Sequence, residues 1–222
     1  MTTLIFIRHA MSEGNQLGLC SGQSDVPLTE EGHKQAQVIA EYLYATYPVT
    51  AIYTSDLCRT AQTAKPTADA FGLVPIADSR FREVCVGEWE GRPWAELKEQ
   101  YPEIYKTWME YRMERHIPRP AGSECYEDVI ARAGAAVLDA IKANKGGCIV
   151  VFAHGRMIRS LAEYWRSLDK DLDEEMTRRN IKGFHGCSVT VAEYDDDGNF
   201  LKVPVCAYRK FLFDASGVVA PE

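Results

Sequence analysis

Leu4-Ile5-Phe6-Ile7-Arg8-His9 is an apolar run that ends at an arginine and a histidine, and Ile149-Val150-Val151-Phe152-Ala153-His154 repeats this pattern far along the chain. A run of β-branched and aromatic residues of this length is typical of a strand buried on both faces of a parallel sheet. Because each run stops at a histidine, we expect both imidazoles at the carboxyl ends of central strands, where open α/β sheets bind ligands. His9 and His154 are therefore predicted to face one another across one site.

Strand and helix patterns alternate after the first run. A helix is predicted from an N-cap at Thr29 to Pro48, a short strand follows over residues 49–53, and Ser55 is predicted to cap a second helix. This order favours an α/β fold, with three layers (α/β/α) and a mostly parallel central sheet covered by helices on both faces. Residues 188–203 alternate around a turn of aspartates and glycine, which predicts antiparallel edge strands.

The segment at about residues 92–120 carries aromatic residues at helical spacing, and a long amphipathic helix is predicted to begin after it at Ser123. We predict a single domain over residues 1–222, in which this segment forms a helical, cap-like insertion over the active site. Aromatic stripes at helical spacing mostly belong to a core. The arginines of the insertion are candidates to contact a second anionic group of a ligand: Arg112, Arg115 and Arg119.

The composition excludes several classes of function. The formal net charge of −7 argues against a general nucleic-acid or acidic-membrane surface, so an anionic ligand needs a local cationic pocket. Seven scattered cysteines without paired spacing indicate reduced thiols in a cytoplasmic protein and no metal site. The chain shows neither a signal peptide nor a stretch of membrane-spanning length, so no membrane partner is expected. The oligomeric state stays open.

Two arginines and two histidines are expected at the same sheet edge: Arg8, His9, Arg59 and His154. Arginine presents a planar fork of donors that matches phosphate oxygens, and the N-termini of the helices that follow the strands add backbone N–H groups. Such a set is a phosphate pocket with an imidazole inside it. A neutral histidine there can act as a covalent nucleophile.

Six motifs in order along the chain resemble those of the histidine phosphatase superfamily, phosphoglycerate mutase-like branch. Arg8 to Asn15 is similar to R-H-G-E-[ST]-x-x-N, and Ser55 to Ala64 to S-D-L-x-R-[AT]-x-Q-T-A. The other four lie at residues 21–29, 82–91, 151–159 and 186–191. There are two departures. Ala10-Met11 stands where the family has Gly-Glu, and in the stretch from residue 120 to 124 a Glu and a Ser are exchanged relative to P-x-G-E-S.

The resemblance implies a role for each matched residue. His9 is expected to be the nucleophile that becomes phosphorylated, and Glu83 to protonate the leaving oxygen and then activate water. The residues expected to hold the phosphoryl group are Arg8, Arg59 and His154. Secondary substrate contacts are expected at Asn15, Ser21, Gly22, Gly155 and Arg156. No metal and no organic cofactor is expected, since arginines neutralise the phosphoryl charge.

The stretch Gly87-Glu88-Trp89-Glu90-Gly91 resembles the phosphatases of the family more than its mutases. We therefore predict a metal-independent phosphomonoesterase that acts on a small phosphorylated metabolite through a phosphohistidine. One alternative is a cofactor-dependent phosphoglycerate mutase. The other is a non-catalytic phosphate-binding protein, which is less favoured because all expected catalytic residue types are present.

Overall fold

A six-stranded sheet runs through the centre of the computed structural model, which describes residues 1–110, 114–172, 174 and 184–212. The strands are β1 (Thr2–Arg8), β2 (Leu19–Cys20), β3 (Ala51–Thr54), β4 (Ile76–Ala77), β5 (Arg92–Pro93), β6 (Cys148–Ala153), β7 (Val189–Tyr194) and β8 (Phe200–Tyr208). The helices are α1 (Glu13–Gln16), α2 (Glu30–Thr46), α3 (Cys58–Phe71), α4 (Trp94–Gln100), α5 (Pro102–Met109), α6 (Tyr126–Ala143) and α7 (Gly155–Arg166).

The strand order is β4-β3-β6-β1-β7-β8, while β2 and β5 form a separate two-stranded sheet. The first four strands of the large sheet are parallel, and β7 and β8 add an antiparallel edge pair. The two apolar runs of the sequence are the neighbouring central strands β1 and β6, paired from Thr3–Cys148 to Arg8–Ala153. The predicted fold class is therefore confirmed.

Helices cover both faces of the sheet because each strand alternates its side chains between two apolar clusters. One cluster packs β1 and β6 against α6 and α7, with Trp165 fully buried between them. The other packs the opposite face against α2 and α3, through Ile39, Leu43 and Ala64. None of the helices within the described ranges is long and apolar enough to cross a membrane.

Two predicted helix starts are wrong. Helix α3 begins at Cys58 rather than after Ser55, whose hydroxyl is instead engaged by the side chains of Thr60 and His154. Helix α6 begins after Cys125, because the Ser123 hydroxyl closes a turn onto a backbone carbonyl. By contrast, Thr29 caps α2 as predicted and accepts a hydrogen bond from Gly32 N at 3.0 Å.

The aromatic segment forms α4 and α5, and the part of it nearest the sheet belongs to the core. Trp108 is buried and packs edge-on against Trp89, with ring centroids 5.9 Å apart. Trp94 and Tyr105 are only partly buried and lie at the outer side of this cluster. The treatment of this segment as an insertion within one domain stays a prediction.

Candidate active site

The two histidines meet where β1 and β6 end. His9 follows the last residue of β1, and His154 follows the last residue of β6 and is the N-cap of α7. Their ring centroids lie 5.2 Å apart with a tilt of 59° between the planes. The predicted juxtaposition of the two imidazoles is therefore present in the structure.

His9 is held in one tautomer. Its Nδ1 lies 2.7 Å from the carbonyl oxygen of Ala10, and because a carbonyl can only accept, Nδ1 carries the proton. The lone pair of the ring is then on Nε2. Burial lowers the pKa of His9 well below its usual range, and the charges of Arg59 and Arg8 lower it further. The ring is therefore neutral and has a nucleophilic nitrogen.

Arg59 lies beside His9 and is almost completely buried, with 1% of its surface exposed. It donates to the carbonyl oxygens of Gly22 at 2.8 Å and Ser24 at 2.7 Å. Burial lowers the pKa of this guanidinium, while the charge of Glu83 raises it. The carbonyl oxygens of Gly22 and Ser24 thus fix the orientation of the buried Arg59 guanidinium.

Arg8 supplies the second cation, and its guanidinium lies against Gly155 at the start of α7. Its guanidinium donates to the carbonyl oxygen of Phe184. A Cβ at Gly155 would lie 3.1 Å from Arg8 Nε, which is tighter than ordinary van der Waals contact. Glycine at this position therefore lets the arginine lie flat over the helix N-terminus.

A chain of hydroxyl groups sets the tautomer of His154. Thr60 Oγ1 lies 2.7 Å from the carbonyl oxygen of Leu57 and 3.1 Å from that of Ser55, so its proton goes to a carbonyl. Thr60 Oγ1 must then accept from Ser55 Oγ at 2.8 Å, and Ser55 Oγ accepts from His154 Nε2 at 2.8 Å. His154 is therefore protonated on Nε2 in its neutral form.

The other nitrogen of His154, Nδ1, is buried and has no hydrogen-bond partner among the described residues. Burial lowers the pKa of His154 well below its usual range, with further lowering by the charges of Arg59 and His9. A buried nitrogen with a lone pair next to His9 can accept a proton from a ligand hydroxyl or, once protonated, donate to a ligand oxygen. His154 is thus suited to hold a phosphoryl oxygen.

Glu83 lies at the N-terminus of α7. Its Oε1 accepts from Met157 N at 3.0 Å and from Val84 N at 2.9 Å, and its Oε2 accepts from Arg156 N at 3.2 Å. These backbone amides fix both oxygens of the carboxylate. The group is therefore aimed at the pocket by the same helix end that carries His154.

Residues 21–24 form a loop that borders the pocket. Glu90 accepts from Gln23 N at 2.8 Å and from Ser24 Oγ at 2.9 Å. Gly22 has a φ of +48°, and a Cβ there would lie 2.5 Å from Glu90 Oε1, so a larger residue would be strained and would displace Glu90 from this loop. The Oγ of Ser21 is buried without a hydrogen-bond partner among the described residues, and it is available to a ligand.

These elements enclose a pocket of about 260 Å³. It is lined by the following residues: Arg8, His9, Ser12, Asn15, Leu19, Cys20, Ser21, Gly22, Arg59, Glu83, Val86, Trp94, Met109, Gly155, Arg156, Phe184 and His185. Every predicted site residue is in this set except His154, which lies fully buried behind it against His9.

Some of the predicted contacts lie elsewhere. Arg115 pairs with Asp128 at 2.7 Å, and Arg119 donates to backbone carbonyls of its own segment. Neither arginine lines the pocket, so the idea that they bind a second anionic group receives no support, and Arg112 lies outside the described residues. Met11, which replaces the family's glutamate, also does not line the pocket.

Sequence reasoning missed the residues that hold the machinery in place. Ser55 binds His154, and Thr63 Oγ1 accepts from Ala10 N at 3.1 Å next to the nucleophile. Phe184 and His185 approach from a distant part of the chain. Ser55 and Thr63 belong to the motif that carries Arg59, and the four-residue spacing of Thr63 from Arg59, which places both on one face of α3, was the available signal.

Comparisons with known proteins agree with the geometry. A model of the histidine phosphatase superfamily (branch 1) matches residues 4–206. The chain belongs to the histidine phosphatase superfamily. It is 34% identical over 174 residues to phosphoserine phosphatase 1 of Hydrogenobacter thermophilus, covering 78% of this chain and 80% of that one.

A second relative and a solved structure are also similar to this chain. A phosphoglycerate mutase-like protein 4 of Arabidopsis thaliana is 33% identical over 196 residues, covering 87% of this chain and 84% of that protein. The solved structure of YhfR from Bacillus stearothermophilus has a TM-score of 0.80 at 27% identity, covering 96% of this chain and all (100%) of that one. The similar proteins thus include one named as a phosphoserine phosphatase and one named as phosphoglycerate mutase-like.

Among the described residues, no group of three or more histidine, cysteine, aspartate or glutamate side chains could hold a metal ion. The positive charge at the pocket comes from Arg8, Arg59 and Arg156.

Proposed function

We propose that this protein is a phosphomonoesterase that hydrolyses a small phosphorylated metabolite through a phosphohistidine on His9, without a metal ion. The hydrogen bond from His9 Nδ1 to the carbonyl of Ala10 carries the proposal, because it leaves Nε2 as the nucleophile in a pocket lined by three arginines. Phosphoryl transfer depends mainly on positioning and on preorganised positive charge. Arg8, His9 and Arg59 supply both the positioning and the positive charge.

In the first step, His9 Nε2 attacks phosphorus as the bond from phosphorus to the leaving oxygen breaks. Glu83 gives its proton to that oxygen, so the alcohol leaves neutral and the carboxylate remains. Arg8 and Arg59 stabilise the charge that builds on the phosphoryl oxygens, and the lone pair on His154 Nδ1 accepts a hydrogen bond from the hydroxyl of a singly ionised phosphoryl group.

In the second step, a water molecule attacks the phosphohistidine. Glu83 takes a proton from this water as the new oxygen–phosphorus bond forms and the nitrogen–phosphorus bond breaks. Inorganic phosphate leaves, His9 again has its lone pair on Nε2, and Glu83 is protonated for the next cycle. One carboxyl group therefore serves as the acid and then as the base.

The substrate is proposed to be small, with a polar or anionic group at Arg156. The pocket of about 260 Å³ leaves limited room beyond the phosphoryl group. The Arg156 guanidinium lies over the ring of Trp108, 4.5 Å from its centroid, and donates to the carbonyl oxygen of Trp108 at 2.9 Å. A cation held in this way is preorganised to meet a second group of the substrate. The phosphoserine phosphatase among the relatives supports such a substrate.

Phosphoglycerate mutase activity is the second candidate, because one of the relatives is named phosphoglycerate mutase-like. A mutase must be primed with a bisphosphate and must return the phosphoryl group to the substrate rather than to water. Glu90 lies in the stretch from residue 87 to 91 that resembles the phosphatases of the family, and it binds Gln23 and Ser24 at the border of the pocket. This resemblance favours hydrolysis.

The test is a panel of phosphorylated metabolites and p-nitrophenyl phosphate, assayed with a chelator present for both phosphate release and isomerised product. We expect phosphate release without bisphosphate priming, and a loss on the order of 10⁴-fold or more in His9→Ala. A ³²P label bound to the parent protein through an acid-labile bond should be absent from His9→Ala, while His33→Ala, which changes an exposed histidine, should retain it. Full activity of His9→Ala would exclude the mechanism, and phosphate binding without turnover would favour a non-catalytic protein.

A further inference from the structure

Arg132 on α6 lies next to the segment that carries Glu83, outside the pocket. Its Nη1 donates to the carbonyl oxygens of Arg80 at 2.7 Å and Arg82 at 2.9 Å. Its Nη2 donates to the carbonyl oxygen of Glu83 itself at 3.0 Å. One guanidinium thus binds three backbone carbonyls around the residue proposed as the acid.

Glu124 completes this arrangement. Its Oε1 accepts from Arg132 Nε at 2.7 Å, and its Oε2 accepts from Arg132 Nη2 at 2.8 Å. Oε2 also accepts from Cys85 N at 2.8 Å, while Glu124 N donates to the carbonyl oxygen of Cys85. All five N–H donors of Arg132 therefore have an acceptor, and Glu124 fixes the chain on the other side of Glu83.

The pair is only partly exposed, at 19% for Arg132 and 21% for Glu124, and its bidentate geometry is the strongest form of arginine–carboxylate contact. Lysine cannot replace it, because an ammonium group has three donors and no planar fork. A surface ion pair with this burial would be a weak contribution to stability by itself. This pair differs from an ordinary surface ion pair because Arg132 also binds three backbone carbonyls.

We propose that Arg132 and Glu124 are positioning residues for Glu83, which they act on through the backbone of residues 80–85. This inference rests on the proposed function, because it assigns a purpose to the position of the acid. A carboxyl group transfers a proton to a leaving oxygen only within hydrogen-bond reach, so a small displacement of its backbone reduces acid catalysis selectively. The attack by His9 and the charge of Arg59 are not changed.

The experiment measures kcat/KM for 2,4-dinitrophenyl, p-nitrophenyl and phenyl phosphate, because kcat/KM reports the steps up to release of the leaving group. Dinitrophenolate leaves without a proton, whereas phenol needs one. In Arg132→Met we expect a loss of roughly tenfold for phenyl phosphate and less than about threefold for 2,4-dinitrophenyl phosphate, since general acid catalysis contributes about 10²–10⁴-fold. Glu83→Gln gives the reference, with the same selectivity and a larger loss.

Asp139→Asn is the matched control. Asp139 also lies on α6 and binds the same segment, but it is 58% exposed and pairs with the side chain of Arg80, at 2.7 Å, and not with the backbone carbonyls that Arg132 binds. This variant should keep the parent values for all three substrates. Glu124→Gln and Arg132→Lys repeat the test in case Arg132→Met does not fold, and circular dichroism and thermal unfolding check each variant.

An equal loss for all three substrates, or no loss, would overturn the inference while leaving the proposed function intact. A Glu83→Gln variant with an equal loss for all three would contradict the acid role itself. A parent protein that releases no phosphate from any aryl phosphate would contradict the proposed function and this inference with it.

Discussion

The floor and the roof of the pocket are built in different ways. The floor consists of Arg8, His9 and Arg59 with His154 directly behind them. These residues lie at the ends of central strands or on α3 and are held by backbone carbonyls and buried hydroxyls. The roof consists of Trp94, Met109, Arg156 and His185, which come from α4, α5, the first turn of α7 and a late segment of the chain. Met109 is 46% exposed, whereas Arg59 is 1% exposed.

This difference indicates where the reaction and its selectivity are encoded. Floor residues have directional contacts that fix tautomer, charge and position, so substitution there should change the chemical step. Roof residues are placed by packing and stacking, so substitution there should change which substrate binds. The following predictions test this division.

The largest effect is expected for a conservative change in the floor. Arg59→Lys keeps a positive charge, but an ammonium group cannot bind Gly22 O, Ser24 O and a phosphoryl oxygen in one plane. We expect kcat/KM to fall by roughly 10²-fold for every substrate, the magnitude found on removal of one transition-state donor. Steady-state kinetics on p-nitrophenyl phosphate measures this loss. Arg80→Lys, which changes an arginine that pairs with Asp78 and Asp139, is the control. Equal kcat/KM values for the two variants would contradict the distinction between floor and roof.

A smaller and selective effect is expected in the roof. Arg156→Met keeps the backbone N–H that binds Glu83 and removes only the guanidinium over Trp108. We expect KM to rise by about ten- to 150-fold for the preferred metabolite, because one hydrogen-bonded charge contributes about 1.5–3 kcal/mol. The kcat for p-nitrophenyl phosphate should stay near the parent value. Equal losses of kcat on both substrates would place Arg156 in the chemical step.

The smallest effect concerns pH and stability. The pKa of His9 and that of His154 both lie well below 6.5, mainly because of burial, so the folded protein binds fewer protons than the unfolded chain just below that pH. The free energy of unfolding contributed by these groups therefore rises with pH up to about 6.5 and is constant above it, with a slope of at most about 1.4 kcal/mol per pH unit for each histidine.

Urea unfolding from pH 5 to 8, a window set about the reference value, measures this dependence. His154→Asn should reduce the slope below 6.5, whereas the exposed His33→Asn should not. An unchanged slope in His154→Asn would show that this ring is not held neutral by the fold.

Much of the floor could be predicted from the sequence, for a physical reason. A parallel sheet brings the carboxyl ends of its strands to one edge, so Arg8, His9 and His154 follow from two apolar runs. Arg59 was expected at the same edge from the helix that follows the next strand, and Glu83 was expected from the family resemblance. All of these lie at the pocket except His154, which lies just behind it.

The supporting contacts could not be predicted in this way. Arg132 and Glu124 meet the backbone of residues 80–85 across a large sequence separation, and nothing in their local pattern indicates a partner. The start of α6 was misplaced because serine is a stronger capping signal than cysteine. Asp128 reaches back to Cys125 N at 3.2 Å and makes the cysteine the cap.

The adjacency of β3, β6 and β1 has a consequence for how this protein can diverge. Neighbouring strands are about 4.8 Å apart, which is a property of the backbone ladder and not of any side chain. The separation of Ser55, His154 and His9 across the three strand ends follows from that spacing, as the 5.2 Å between the imidazole centroids reflects. A lineage that adopts a new metabolite can change the exposed side chains of α4 and α5 while it keeps the buried Trp108. A reacting group that needs a wider or narrower spacing of these three residues would require a different sheet.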